Sequence, residues 1–132
     1  MFKSDSDVKD VIKLSTLGHT WILDLDGTIV KHNGYKIDGE DSFLPGAKEF
    51  LCGIPEKDMI IFVTSREKKY MEQTKRFLSQ NSIRYNSIIF EAPYGERILI
   101  NDAKISGLKT ALSINTKRDL FCQCDFKEDG GL

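Results

Sequence analysis

Several short runs along the chain are apolar on both faces: Trp21-Ile22-Leu23 with Leu25, Met59-Ile60-Ile61-Phe62-Val63, the stretch 87–90 with Ile88-Ile89-Phe90, and 97–100 with Ile98-Leu99-Ile100. Such runs suit strands of a parallel sheet that is covered on both sides. A further strand is expected over 110–114. Between the runs the period changes. Tyr70, Met71, Thr74, Phe77 and Leu78 recur at helical spacing, which predicts a helix over 66–80 with its lysines and Arg76 in solvent. Leu44-Pro45-Gly46-Ala47 opens a short helix to about Cys52, with proline in the first turn. Val8, Val11, Ile12 and Leu14 predict an amphipathic helix over 6–17, ended by Gly18. Asn33-Gly34 between two short alternating segments predicts a β-hairpin, because a type I′ turn needs two positive φ angles. Strands alternating with helices imply an α/β fold with a mainly parallel sheet and crossover helices, the first strand lying centrally.

Length and composition narrow this picture. A chain of 132 residues, 40% apolar and 30% charged, is expected to form one domain over 1–132, with its core at about 20–115 and a polar C-terminal tail at 116–132. The net charge of −1 gives no support to a broad nucleic-acid or membrane-binding surface. Met59–Val63 is too short to span a membrane, and the N-terminus lacks a signal-peptide core, so the expected location is cytoplasmic. Cys52, Cys122 and Cys124 are an odd set that reads as reduced thiols rather than disulfides or a zinc site.

The chemistry sits where the apolar runs end. Asp24 and Asp26 close the first run, two residues apart, followed by Gly27 and Thr28. Burial and mutual repulsion penalise two charged carboxylates there, and a cation or a proton offsets that cost. The second run ends in Thr64-Ser65-Arg66, and the fourth in Asn101-Asp102-Ala103-Lys104. Open α/β sheets place ligands at the carboxyl ends of their strands. There a hydroxyl and a backbone N–H can each hold a phosphoryl oxygen. Ser65 could also cap the helix that follows.

Asp24-Leu25-Asp26-Gly27-Thr28 resembles motif I of the haloacid dehalogenase (HAD) superfamily of phosphohydrolases, Asp-x-Asp-Gly-Thr, at every fixed position. Thr64 and Asp102 stand where that family carries motifs II and IV. The resemblance implies a Rossmann-like three-layer sandwich with a β-hairpin flap after motif I. The intervals between motifs hold no cap domain. It also implies roles. Asp24 would be the nucleophile that forms an aspartyl-phosphate. Asp26 would protonate the leaving group and then activate water. Thr64 and the Ser65 N–H would hold the phosphoryl group. Mg²⁺ would be bound by Asp24, the Asp26 backbone carbonyl and Asp102.

The family's motif-III lysine is absent, because Glu91-Ala92-Pro93 occupies its usual place. Arg97 starts the strand that ends near Asp102, about 16 Å away at ~3.3 Å per residue. Lys104 is the favoured replacement, with Arg66 as another option. His32, Lys31, Tyr35 and Lys36 could touch substrate from the flap. The run Ile-Asn-Asp-x-Lys-x-x-Gly-Leu-x-Thr-Ala resembles small phosphatases of surface-polysaccharide and sugar-phosphate pathways. These features imply a Mg²⁺-dependent phosphomonoesterase acting on a phosphorylated sugar or related small molecule. The open site could be covered by a second copy of the chain. Two alternatives are a HAD-like binding or regulatory module with little turnover, and a phosphotransferase or phosphatase acting on nucleic-acid or protein ends.

Overall fold

The computed structural model describes residues 9–132, and its strands pair in parallel. Two compact units are present. Among the described residues, one unit contains those up to Leu17 together with Arg97–Asn115 and Cys122–Leu132. The other contains Gly18–Glu96 and Thr116–Phe121.

In the first unit, strand β1 (Asp10–Leu14) pairs in parallel with β5 (Cys124–Glu128), Asp10 opposite Cys124 and Leu14 opposite Glu128. The helix expected over 6–17 is therefore not formed at 10–14. Residues 6–8 of that expectation lie outside the described residues. Val11 and Ile12 are β-branched, and exposure alternates from Val11 to Leu14 with a strand's period of two. β5 likewise occupies part of the stretch expected as a polar tail. The strands expected over 97–100 and 110–114 do not form. Ile98 and Ile100 remain 82% and 91% exposed. Apolar content alone does not make a strand, since unpaired backbone groups need either a neighbouring strand or water.

The second unit carries a three-stranded parallel sheet in the order β2-β3-β4: β2 (Thr20–Leu23), β3 (Met59–Val63) and β4 (Ser87–Ile89). β3 is central and β2 lies at an edge. The expected central place for β2 required a neighbour from 97–100, where no strand forms. Helices α1 (Gly34–Ile37) and α2 (Ala47–Gly53) lie between β2 and β3, and α3 (Met71–Gln80) lies between β3 and β4. Leu25, Ile29, Val30, Leu44, Ala47, Leu51, Ile54, Ile60, Phe62, Leu78 and Ile83 form the core. α3 buries Thr74 and Leu78 and exposes Lys75 and Arg76, as its periodicity predicts.

The predicted hairpin flap is not formed. Asn33 takes the left-handed conformation (φ 56°), but the chain then enters the single turn of α1, with Ile37 N–H donating to the Asn33 carbonyl at 2.9 Å. Burial of Tyr35 favours this path, because its ring packs edge-on against Tyr70 with centroids 4.8 Å apart. The excursion is closed at its base by an antiparallel bridge between Val30 and Phe43.

Candidate functional site

At the end of β2 the chain folds back on itself within a few residues. The Thr28, Ile29 and Val30 N–H groups all donate to the Leu25 carbonyl at 2.9–3.2 Å, and Gly27 N–H donates to Val30 at 2.7 Å. Gly27 adopts φ 80°, a conformation that an L-residue takes only at a cost. Asp24 and Asp26 thereby come out on the lip of this turn, both half-buried. The Thr28 hydroxyl donates to Asp24 Oδ2 at 3.0 Å.

A cleft of about 240 Å³ opens there, lined by Asp24, Asp26, Gly27, Thr28, Thr116 and Arg118. Thr116 and Arg118 come from the stretch expected as a polar tail. Asp119 N–H donates to the Gly27 carbonyl at 2.8 Å, and Asp119 Oδ1 accepts from His32 N–H at 2.7 Å. The sequence signal for this segment was weak: a polar Lys117-Arg118-Asp119 run just after an apolar stretch.

Behind the acids lies a buried charge network around Arg66, which is only 3% exposed. Its Nε and Nη2 donate to Asp26 Oδ2 and Oδ1 at 2.9 and 3.0 Å. Nη1 and Nη2 donate to Asp41 Oδ2 and Oδ1 at 2.9 and 2.7 Å, and Nη1 also donates to the Thr74 hydroxyl at 3.0 Å. A guanidinium has five N–H donors, so its capacity is fully used. The Tyr35 ring stacks 3.9 Å from the guanidinium carbon. Burial alone would lower the Arg66 pKa, but the bonds to Asp41 and Asp26 outweigh it and raise it above the usual arginine value. Burial, with the Asp26 charge beside it, pushes the Tyr35 hydroxyl up.

Thr64 is buried at the end of β3. Its N–H donates to the Ile89 carbonyl at 2.9 Å, and its hydroxyl accepts the Arg66 N–H at 3.1 Å. Thr64 and Ser65 are not in the cleft lining. Ser65 does not cap the following helix either. A 3₁₀ turn at Lys68–Tyr70 and then α3 begin later, neither with a side-chain cap. The cause is local: the Thr64 hydroxyl takes the Arg66 N–H, the Arg66 side chain enters the carboxylate fork, and Glu67 stays extended (φ −67°, ψ 151°). Asp102 and Lys104 belong to the first unit, where both are exposed and the Asp102 carbonyl accepts from the Thr110 hydroxyl. Arg66, an option from sequence, proves to be a partner of the acids.

Among the residues lining the cleft, Asp24 and Thr28 carry oxygen groups of the kind a hard cation takes. Both Asp26 carboxylate oxygens are engaged by Arg66. Among the described residues no group of three His, Cys, Asp or Glu side chains could hold a metal.

No family model matches the chain. No curated protein matches it either. Chains of solved structures do, two of which follow. A Pnkp1/Rnl/Hen1 complex matches with a TM-score of 0.48 and 26% identity, over 63% of this chain and 31% of that one. The Pnkp1/Rnl/Hen1 RNA repair complex matches with a TM-score of 0.49 and 25% identity, over 72% of this chain and 32% of that one. The chain thus spans about a third of the length of the chains it matches. No helix of the described residues is long and apolar enough to cross a membrane.

Proposed function

We propose that the chain is a Mg²⁺-dependent phosphomonoesterase of HAD type acting on a phosphorylated sugar or related small molecule. The supporting observation is that Asp24 and Asp26 face one polar cleft, on a tight turn at the carboxyl end of a parallel strand. An Asp24 oxygen attacks phosphorus while the ester P–O bond breaks, and the leaving oxygen takes a proton from Asp26. Water then cleaves the aspartyl-phosphate, giving its proton to Asp26 and regenerating Asp24. Magnesium, when bound, offsets the repulsion between carboxylate and phosphate. Asp24 and the Asp26 carbonyl would hold it. The sequence resemblance adds Asp102 as a further ligand, and Thr64 and Ser65 as phosphate contacts.

One feature favours a second reading, a binding module with little turnover. Arg66 occupies both oxygens of Asp26, so proton donation requires one of those bonds to be exchanged. Phosphate release separates the two readings. It is measured on phosphorylated sugars, nucleotides, a 3′-phosphorylated oligonucleotide and an aryl phosphate, with Mg²⁺ or with chelator. The phosphatase reading expects metal-dependent turnover, strongest on a small phosphorylated metabolite, that falls roughly a thousandfold or more in Asp24→Asn. Absence of turnover from folded protein on every compound supports the binding module.

A further inference from the structure

We infer that Arg118 is the residue that grips the phosphoryl group in this cleft. The ligand class, a phosphate monoester, rests on the phosphomonoesterase reading. The residue assignment rests on geometry. A site that brings a dianionic phosphate up to Asp24 and Asp26 needs a cation with free donors facing them. Arg66 cannot supply them, because all five of its N–H groups are committed to Asp26, Asp41 and Thr74. Arg118 lines the same cleft as the two acids. A guanidinium matches phosphate geometry by donating two parallel N–H bonds.

The fold holds Arg118 in place through its neighbours. Asp119, at φ 64°, donates its N–H to the Gly27 carbonyl at 2.8 Å and accepts the His32 N–H on its carboxylate at 2.7 Å. Leu120 N–H closes a turn onto the Lys117 carbonyl at 3.1 Å. The Phe121 ring packs 5.2 Å from that of Phe50. The segment is therefore fastened to the structure that carries the acids at Asp119 and Phe121, just after Arg118. Gly27 completes the arrangement. A Cβ there would stand 3.2 Å from Arg118 Cγ and 3.7 Å from the Asp119 nitrogen. The glycine thus permits both the turn and the passage of the arginine stem across it. In this reading Gly27 and Asp119 are positioning residues, and Arg118 is the phosphate contact that the sequence had sought at Lys104.

The test is titration of the chain with inorganic phosphate, in Mg²⁺, by calorimetry, alongside KM and kcat on the best substrate. Arg118→Ala should weaken phosphate binding roughly ten- to a hundredfold and raise KM by a similar factor. Arg118→Lys, which keeps the charge but loses the fork, should fall between. Thermal melts should be unchanged in both. Lys117→Ala removes a neighbouring cation outside the cleft lining and should bind phosphate like the parent. The proposal is overturned if Arg118→Ala binds phosphate normally, if Lys104→Ala loses binding while Arg118→Ala keeps it, or if the parent binds no phosphate. A parent that binds phosphate through Arg118 but hydrolyses nothing leaves the residue assignment standing and removes only the phosphatase reading.

Discussion

Arg66 sets what Asp26 can do, and its own stability depends on being paired. A buried ion whose partners are removed costs more than the pair ever contributed, because the remaining charges are left desolvated. Arg66→Met strands Asp41, whose side chain is 1% exposed, and should destabilise the protein by about 3–5 kcal/mol, read by urea unfolding. A second buried acid, Asp58, stands at the other end of the sheet. Burial would raise its carboxyl, but bonds from the Trp21 indole N–H at 2.9 Å and the His19 backbone N–H at 2.9 Å, with the His19 ring beside it, hold it below the usual carboxylate range. The folded state thus prefers the carboxylate. Its contribution is full above the unfolded value near ~3.9 and is lost as pH falls through the lower folded value. Asp58→Asn should cost about 1–3 kcal/mol at neutral pH, with the gap to the parent closing in melts taken below about pH 4. The sequence exposed Asp24 and Asp26 because two acids ending an apolar run are conspicuous. It could not expose Asp41 or Asp58, which look like ordinary loop acids until folding brings Arg66 and Trp21 to them.

Local signals predicted an element correctly only where no longer-range contact competed with them. β3 forms at its expected bounds, whereas α3 ends at Gln80 as expected but starts only at Met71, after the extended Glu67 and a 3₁₀ turn. The hairpin expected at Asn33-Gly34 and the helix expected over 6–17 were read from equally local signals. Each lost to a longer-range contact: Tyr35 against Tyr70 in one case, and β1 against β5 in the other. The turn after β2 is the element on which the site depends. Gly27→Ala should cost about 1–3 kcal/mol in a thermal melt through its left-handed backbone alone. It should also weaken phosphate binding, because the new methyl meets the Arg118 stem. A substitution that lowers stability while leaving phosphate affinity intact would separate the turn from the arginine.

At the scale of the whole molecule, sheet order was the hardest feature to read. The alternation of strands and helices correctly implied parallel pairing, since sequential parallel strands need crossovers. It did not reveal that β3, not β2, takes the centre of the three-stranded sheet, because that order depends on whether 97–100 finds a partner. Nor did composition mark Thr116–Phe121 as part of the unit that carries the acids. In the proposed phosphatase reaction Asp24 carries the phosphoryl group during turnover. The direct measurement is to quench the reaction in acid during turnover of a labelled substrate, digest the chain and locate the phosphoryl label by mass spectrometry. An alkali-labile phosphoryl group is expected on Asp24, formed with Mg²⁺ and lost with chelator. Turnover with Asp24 never labelled, or with the label on another side chain, would contradict it.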